Sequence, residues 1–75
     1  MTTSLYSDKH DKRRKLLIKA RKDAGLTQSC LAAKLGTVQS RISKYEIGER
    51  SLEIIEFLDI CKALNINYHE ILDQL

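Results

Sequence analysis

Apolar residues in this chain recur at spacings of three and four, and hardly ever in sustained alternation. Leu17, Ala20 and Ala24 form one stripe of a first helix, expected from about Asp11 to Ala24. Leu31, Ala32 and Leu35 mark the buried face of a second, with Thr27 as its N-cap. Val38, Ile42 and Tyr45, at i, i+4 and i+7, mark a third that is capped by Thr37 and ends near Ile47. Ser51 is the expected cap of a fourth helix, Leu52 to about Leu64. Asn67 and Glu70 have capping-box spacing for a fifth that runs to Leu75. Gly25, Gly36 and Gly48 each follow directly on one of the first three apolar stretches, where a residue that tolerates the left-handed conformation closes a helix. Proline is absent and no β-branched alternation competes, so the predicted fold is all-α. It is a single five-helix domain over residues 11–75, preceded by a flexible arm over residues 1–10.

The connection between the second and third helices decides the motif. Gly36-Thr37 is too short for antiparallel packing, so the two helices must cross steeply, as a helix-turn-helix. With Val38, Ile42 and Tyr45 turned inward, the outer face of the third helix carries Ser40, Ser43 and Lys44, flanked by Gln39 and Arg41. These side chains hydrogen-bond base edges or phosphates, and no acidic residue lies between Thr37 and Tyr45 to repel a polyanion.

Charge sharpens the picture. The whole chain has a net charge of only +3, but residues 1–44 hold eleven basic side chains against three acidic ones, a net of +8. Residues 45–75 hold two against seven, a net of −5. A basic half suits a polyanionic partner and an acidic half belongs away from it. Eight of the eleven basic residues lie between Lys9 and Lys22, so the first helix is expected to supply the non-specific attraction.

Several function classes are disfavoured. No apolar run approaches the roughly 20 residues of a membrane span, and the N-terminus has no apolar core of a secretory signal, so a cytoplasmic protein is expected. Cys30 and Cys61 lack metal-ligand spacing, and no Gly-rich phosphate loop occurs; neither metal nor cofactor is expected. His10 and His69 are the only histidines, and His69 points away from its neighbour Glu70 on a helix. No catalytic constellation results, and an enzyme is not expected.

The run Ala24-Gly25-Leu26-Thr27-Gln28, then Leu31-Ala32-Ala33-Lys34-Leu35-Gly36, then Gln39-Ser40-Arg41-Ile42-Ser43-Lys44-Tyr45-Glu46 and Gly48 resembles the Cro and phage-repressor type of helix-turn-helix domain, the xenobiotic response element family. The resemblance covers about residues 12–72 and implies a DNA-binding transcriptional regulator. By it, Gln28 contacts a DNA phosphate, with Thr27, Thr37 and Ser43 as further backbone contacts. Gln39, Ser40 and Lys44 match the base-reading positions: Gln39 suits adenine N6 and N7, and Lys44 suits guanine N7 and O6. Arg41 serves a base or a phosphate. Arg21 and Glu46 are implied as an ion pair of the scaffold.

The chain departs from the family pattern at two places. Cys30 stands where a glutamate usually completes the capping box, and in the first turn of a helix a lowered thiol pKa makes redox sensitivity a candidate property. Arg50-Ser51 replaces a proline often found before the fourth helix. That helix is apolar at nine of thirteen positions from Leu52 to Leu64, wider than one core stripe. A homodimer through the fourth helix, the fifth or both is expected, binding a palindromic operator in double-stranded DNA as a repressor. The alternatives are an antitoxin or other module with a protein partner, and a restriction–modification controller protein.

Overall fold

The computed structural model describes the backbone of residues 5–75 and the side chains from Lys9 onward. Five helices follow one another: α1 (Leu5–Asp23), α2 (Gln28–Leu35), α3 (Gln39–Glu46), α4 (Ile54–Ala63) and α5 (Tyr68–Leu72). No strand occurs among the described residues. The all-α, five-helix architecture is the one that the apolar spacing predicts.

The helix ends share one device. Gly36 N–H donates to Ala33 O at 3.2 Å and Thr37 N–H to Ala32 O at 2.9 Å, which satisfies the last open carbonyls of α2. The same pair of bonds recurs at Gly25-Leu26, Gly48-Glu49 and Asn65-Ile66. The glycines at these reversals have φ of +76°, +70° and +86°. Asn65, at +58°, closes α4 in the same way and was not predicted; asparagine is among the few other residues that visit this region routinely.

Helix starts differ more from expectation. α1 begins at Leu5 rather than near Asp11, because neither glycine nor proline interrupts the run, so residues 5–10 belong to a helix and not to an arm. Residues 1–4 of the expected arm lie outside the described residues. Thr37 does not cap α3: its N–H is committed to closing α2, and Val38 is the N-cap, without a side-chain bond. Val38 is consequently 60% exposed rather than part of the core. Ser51 does not cap α4 either. The chain stays out of helix through Leu52, whose carbonyl accepts from Arg13 at 3.2 Å, and α4 starts after Glu53. Asn67 does cap α5, accepting from His69 N–H at 2.9 Å, but α5 ends at Leu72. Ala24 lies past the end of α1 and is exposed.

The core gathers one or more residues from each helix: Leu17, Leu31, Ala32, Ile42, Tyr45, Phe57, Ile60, Cys61 and Ile71, with Leu52 and Leu64 from the segments that flank α4. Burial pushes the Tyr45 hydroxyl above its ordinary pKa. The apolar excess of α4 resolves by position. Phe57, Ile60 and Cys61 face inward, while Ile54 and Ile55 at its start are 58% and 62% exposed.

Candidate nucleic-acid interface

The three-residue connection 36–38 holds α2 and α3 against each other, with Leu31 and Ala32 of one in the same core cluster as Ile42 and Tyr45 of the other. Burying Ile42 and Tyr45 leaves Gln39, Ser40 and Lys44 exposed along the other side of α3, and Ser43 half-buried. At the start of α2, Thr27 is exposed and its hydroxyl accepts from Cys30 N–H at 3.0 Å; Gln28 is half-buried. Thr37 lies half-buried in the turn. The first two N–H groups of α2 have no partner within the helix, which is the arrangement that favours an anion at a helix start.

A chain of hydrogen bonds joins this surface to the interior. Arg21 and Glu46, 8% and 7% exposed, form a bidentate pair, with Nε to Oε2 at 2.7 Å and Nη2 to Oε1 at 2.9 Å. Arg21 Nη1 also donates to Leu26 O at 2.8 Å, which ties the start of the helix-turn-helix to α1. The bond to Glu46 raises the Arg21 pKa above its ordinary value and keeps the guanidinium charged. Gln28 Nε2 donates to Glu46 Oε1 at 2.8 Å, and Gln39 Nε2 donates to Gln28 Oε1 at 2.6 Å. The fold therefore brings four of the residues singled out in the sequence into one network. The links through Gln28 were not foreseen; they join residues eleven and eighteen positions apart, and no local spacing signals them.

Arg41 is placed differently from its neighbours. Its guanidinium bonds Glu56 of α4 at 2.8 Å, and Arg50 bonds the other oxygen of Glu56 at 2.8 Å. Arg50 and Arg41 together hold the Glu56 carboxyl well below the usual carboxylate range, at about 2, so it stays charged at any physiological pH.

The basic content of α1 also divides. Arg13 bonds the Leu52 carbonyl and lies over the Phe57 ring, 5.5 Å from its centroid. Arg14 donates to Glu46 O at 2.9 Å, at the C-terminal end of α3. With Arg21 these three cations serve the fold, and the exposed positive charge of α1 is that of its lysines, of which Lys19 pairs with Asp23 at 2.8 Å. The non-specific attraction assigned to α1 from the sequence is correspondingly smaller.

The helix-turn-helix family model matches residues 17–71, which span the end of α1 and all of α2 to α4 and reach into α5. Among solved structures, an XRE-family like protein from Pseudomonas syringae pv. tomato str. DC3000 is 38% identical, with 93% of this chain and 85% of that one covered and a TM-score of 0.89. The chain belongs to the XRE family of helix-turn-helix proteins. No curated protein matches this XRE-family chain in sequence. As a member of the XRE family it is a DNA-binding transcriptional regulator. No described helix of this XRE domain is long and apolar enough to cross a membrane.

The two cysteines of the XRE domain have opposite environments. Hydrogen bonding to Thr27 pulls the thiol of exposed Cys30 below its ordinary pKa, while burial pushes that of Cys61 up. Native protein at neutral pH is expected to take up one equivalent of maleimide, at Cys30, and a second only in denaturant. Peptide mass spectrometry reads the sites, and equal labelling of both thiols in the native state would contradict this packing.

Proposed function

We propose that this regulator is a repressor that binds a palindromic operator as a homodimer in the cytoplasm, acting by occupancy of DNA and not by catalysis. The observation that carries the reading is the exposed row of Gln39, Ser40 and Lys44 on α3, backed by a helix start at Thr27 and Gln28 that is open to a phosphate. In this reading α3 lies in the major groove, Gln39, Ser40 and Lys44 meet base edges, and Thr27, Gln28, Thr37 and Ser43 meet the backbone. Arg41, held by Glu56, serves the flanking phosphate rather than a base. Support for the homodimer comes from the exposed Ile54 and Ile55 at the start of α4 and from Tyr68 and Leu72 on α5. A two-fold pair would set two copies of α3 about 34 Å apart, one turn of duplex.

Three measurements test the reading. Lys44→Ala should relax preference at one base pair and weaken specific binding by roughly 1–3 kcal/mol. Wild-type affinity should fall with salt at a log–log slope of about −0.9 per phosphate neutralised. Light scattering should find two copies on a selected duplex. A flat salt profile, with specific and random duplex bound alike, would favour a protein partner instead, as for an antitoxin.

A further inference from the structure

The end of α3 and its connection to α4 meet the N-terminal half of α1, and between them lies a cavity of about 70 Å³ lined by Arg13, Arg14 and Arg50 together. We propose that this cavity binds a small oxyanion of the phosphate type, taken up from solution and separately from DNA. Three guanidinium groups share the lining with one carboxylate, that of Asp11, which is already paired with Arg14 at 3.1 Å. Arg14 and Arg50 are each only 24% exposed in their side chains, so solvent screens this excess of positive charge incompletely. An anion among the three relieves the repulsion between them. The volume suits a few waters or one tetrahedral ion and is too small for a nucleotide.

The fold holds these side chains by some of their donors and leaves others unspent. Each guanidinium has five N–H groups in a rigid fork that matches an oxyanion. Arg13 gives one to the Leu52 carbonyl at 3.2 Å, and Arg14 gives Nη1 to the Glu46 carbonyl and Nη2 to Asp11. Arg50 gives Nη1 to Glu56 at 2.8 Å and Nη2 to the Arg41 carbonyl at 3.3 Å, while its Nε is enclosed and meets no acceptor among the described residues. An enclosed donor without an acceptor is costly, and an oxyanion beside Arg50 offers one. The Ser51 hydroxyl, on the same lining, adds a donor that the protein does not use. Because carbonyls and carboxylates already fix the three arginines, little freedom is lost when the ion arrives. Tyr45, from the inward face of α3, lines the same cavity. The site therefore lies behind the exposed row of Gln39, Ser40 and Lys44, away from a duplex read by that row. A bound ion ties α1 to the α3–α4 connection and, since only the folded chain assembles the site, stabilises the domain.

The test is a titration of the full chain with inorganic phosphate at constant ionic strength, followed by backbone amide resonances. Saturable shifts are expected at Gly48, Ser51 and Arg14 and their neighbours, with half-saturation at about a millimolar or below. Sulfate should compete, and chloride at the same ionic strength should not. Arg14→Gln and Arg50→Gln should each weaken phosphate binding by roughly tenfold or more. Lys15→Gln, which removes the same charge from an exposed position of α1 outside the cavity, should stay within about twofold of wild type. The dispersion of each spectrum before phosphate is added shows whether the variant is folded, and either arginine variant suffices, since the two are held by different partners. Shifts that rise linearly with phosphate, or a Lys15→Gln loss equal to that of the arginine variants, would reduce the cavity to general surface charge and overturn the proposal. The titration is then repeated on protein bound to duplex. Phosphate should bind there as it does to free protein; its displacement by duplex would assign the arginines to the DNA backbone and equally overturn a site for a free ion.

Discussion

Replacing Glu46 with alanine is expected to leave much of the domain unfolded. The substitution removes the partner of Arg21 Nε and Nη2 and leaves a guanidinium that is 8% exposed with only the Leu26 carbonyl to bond. Breaking a buried pair from one side costs about 3–5 kcal/mol, because the remaining charge is stranded in the interior. A chain of 75 residues has a total stability on the order of 4–11 kcal/mol, so the loss takes a large share of what holds the fold together. Gln28 loses its inner acceptor at the same time. Urea denaturation followed by circular dichroism measures the effect. The double variant Arg21→Met with Glu46→Leu should recover most of the stability, since apolar side chains of similar volume replace such pairs at little cost. A single Glu46→Ala change within about 1 kcal/mol of wild type would mean that Arg21 finds water or another partner, and would refute the buried geometry.

Phe57→Ala is expected to have a comparable effect for a different reason. Phe57 is the most enclosed large side chain, at 0% exposure, and it sits on α4 among Leu17, Ile60 and the other core residues. Removing a buried ring costs about 3–5 kcal/mol, part transfer and part cavity. Arg13 lies over the ring at 5.5 Å and adds a cation–π contribution of about 0.5–1 kcal/mol, which disappears with it. Guanidinium melts should place the midpoint far below wild type, and Phe57→Leu should restore a good part of the difference by filling most of the space. A cost under about 1 kcal/mol would show that α4 is peripheral. In that event the exposure of Ile54 and Ile55 would need another account than a well-packed helix with a free N-terminal turn.

The two effects bear on function through one geometry. α1 carries Arg21, α3 carries Glu46, and α2 carries Gln28 between them, so the ion pair anchors to α1 the helix that presents Gln39 and Lys44. Weakening the pair is therefore expected to lower DNA affinity through loss of folded protein even though neither charge faces the groove. Measuring binding and stability on the same variants separates that loss from a change in base preference.

Helix number, type and most stopping points were legible in the chain because they depend on local chemistry. Glycine at positions 25, 36 and 48 relieves a steric conflict within its own residue, and the spacing of Leu31, Ile42 and Tyr45 needs only the period of a helix. The family resemblance, carried by residues at fixed positions from Ala24 to Gly48, agrees with the matched span of residues 17–71. Helix starts were read less well. Thr37 and Ser51 are sound caps by type, but Thr37 N–H was already engaged in closing α2, and the non-helical segment after Ser51 is tied to α1 by Arg13 on the Leu52 carbonyl. The competing bond comes from the preceding helix at Thr37 and from α1 at Leu52.

By itself, then, the sequence determined an all-α domain, the position of its helix-turn-helix, a polar outer face on the third helix, and a separation of basic and acidic halves. These follow from periodicity, backbone sterics and charge, all of which act over a few residues or are additive along the chain. Only the tertiary structure decided which cations are available to a partner and which are consumed within the fold. Arg13, Arg14, Arg21 and Arg41 read alike in a sequence, yet each is assigned by a carbonyl or a carboxylate that lies fifteen to thirty-nine residues away. The same holds for Gln28, whose amide is oriented by a carboxylate eighteen positions on. Hydrogen bonds of this kind form only after apolar burial has brought the helices together, so their partners are a property of the packed domain and not of any stretch of its chain.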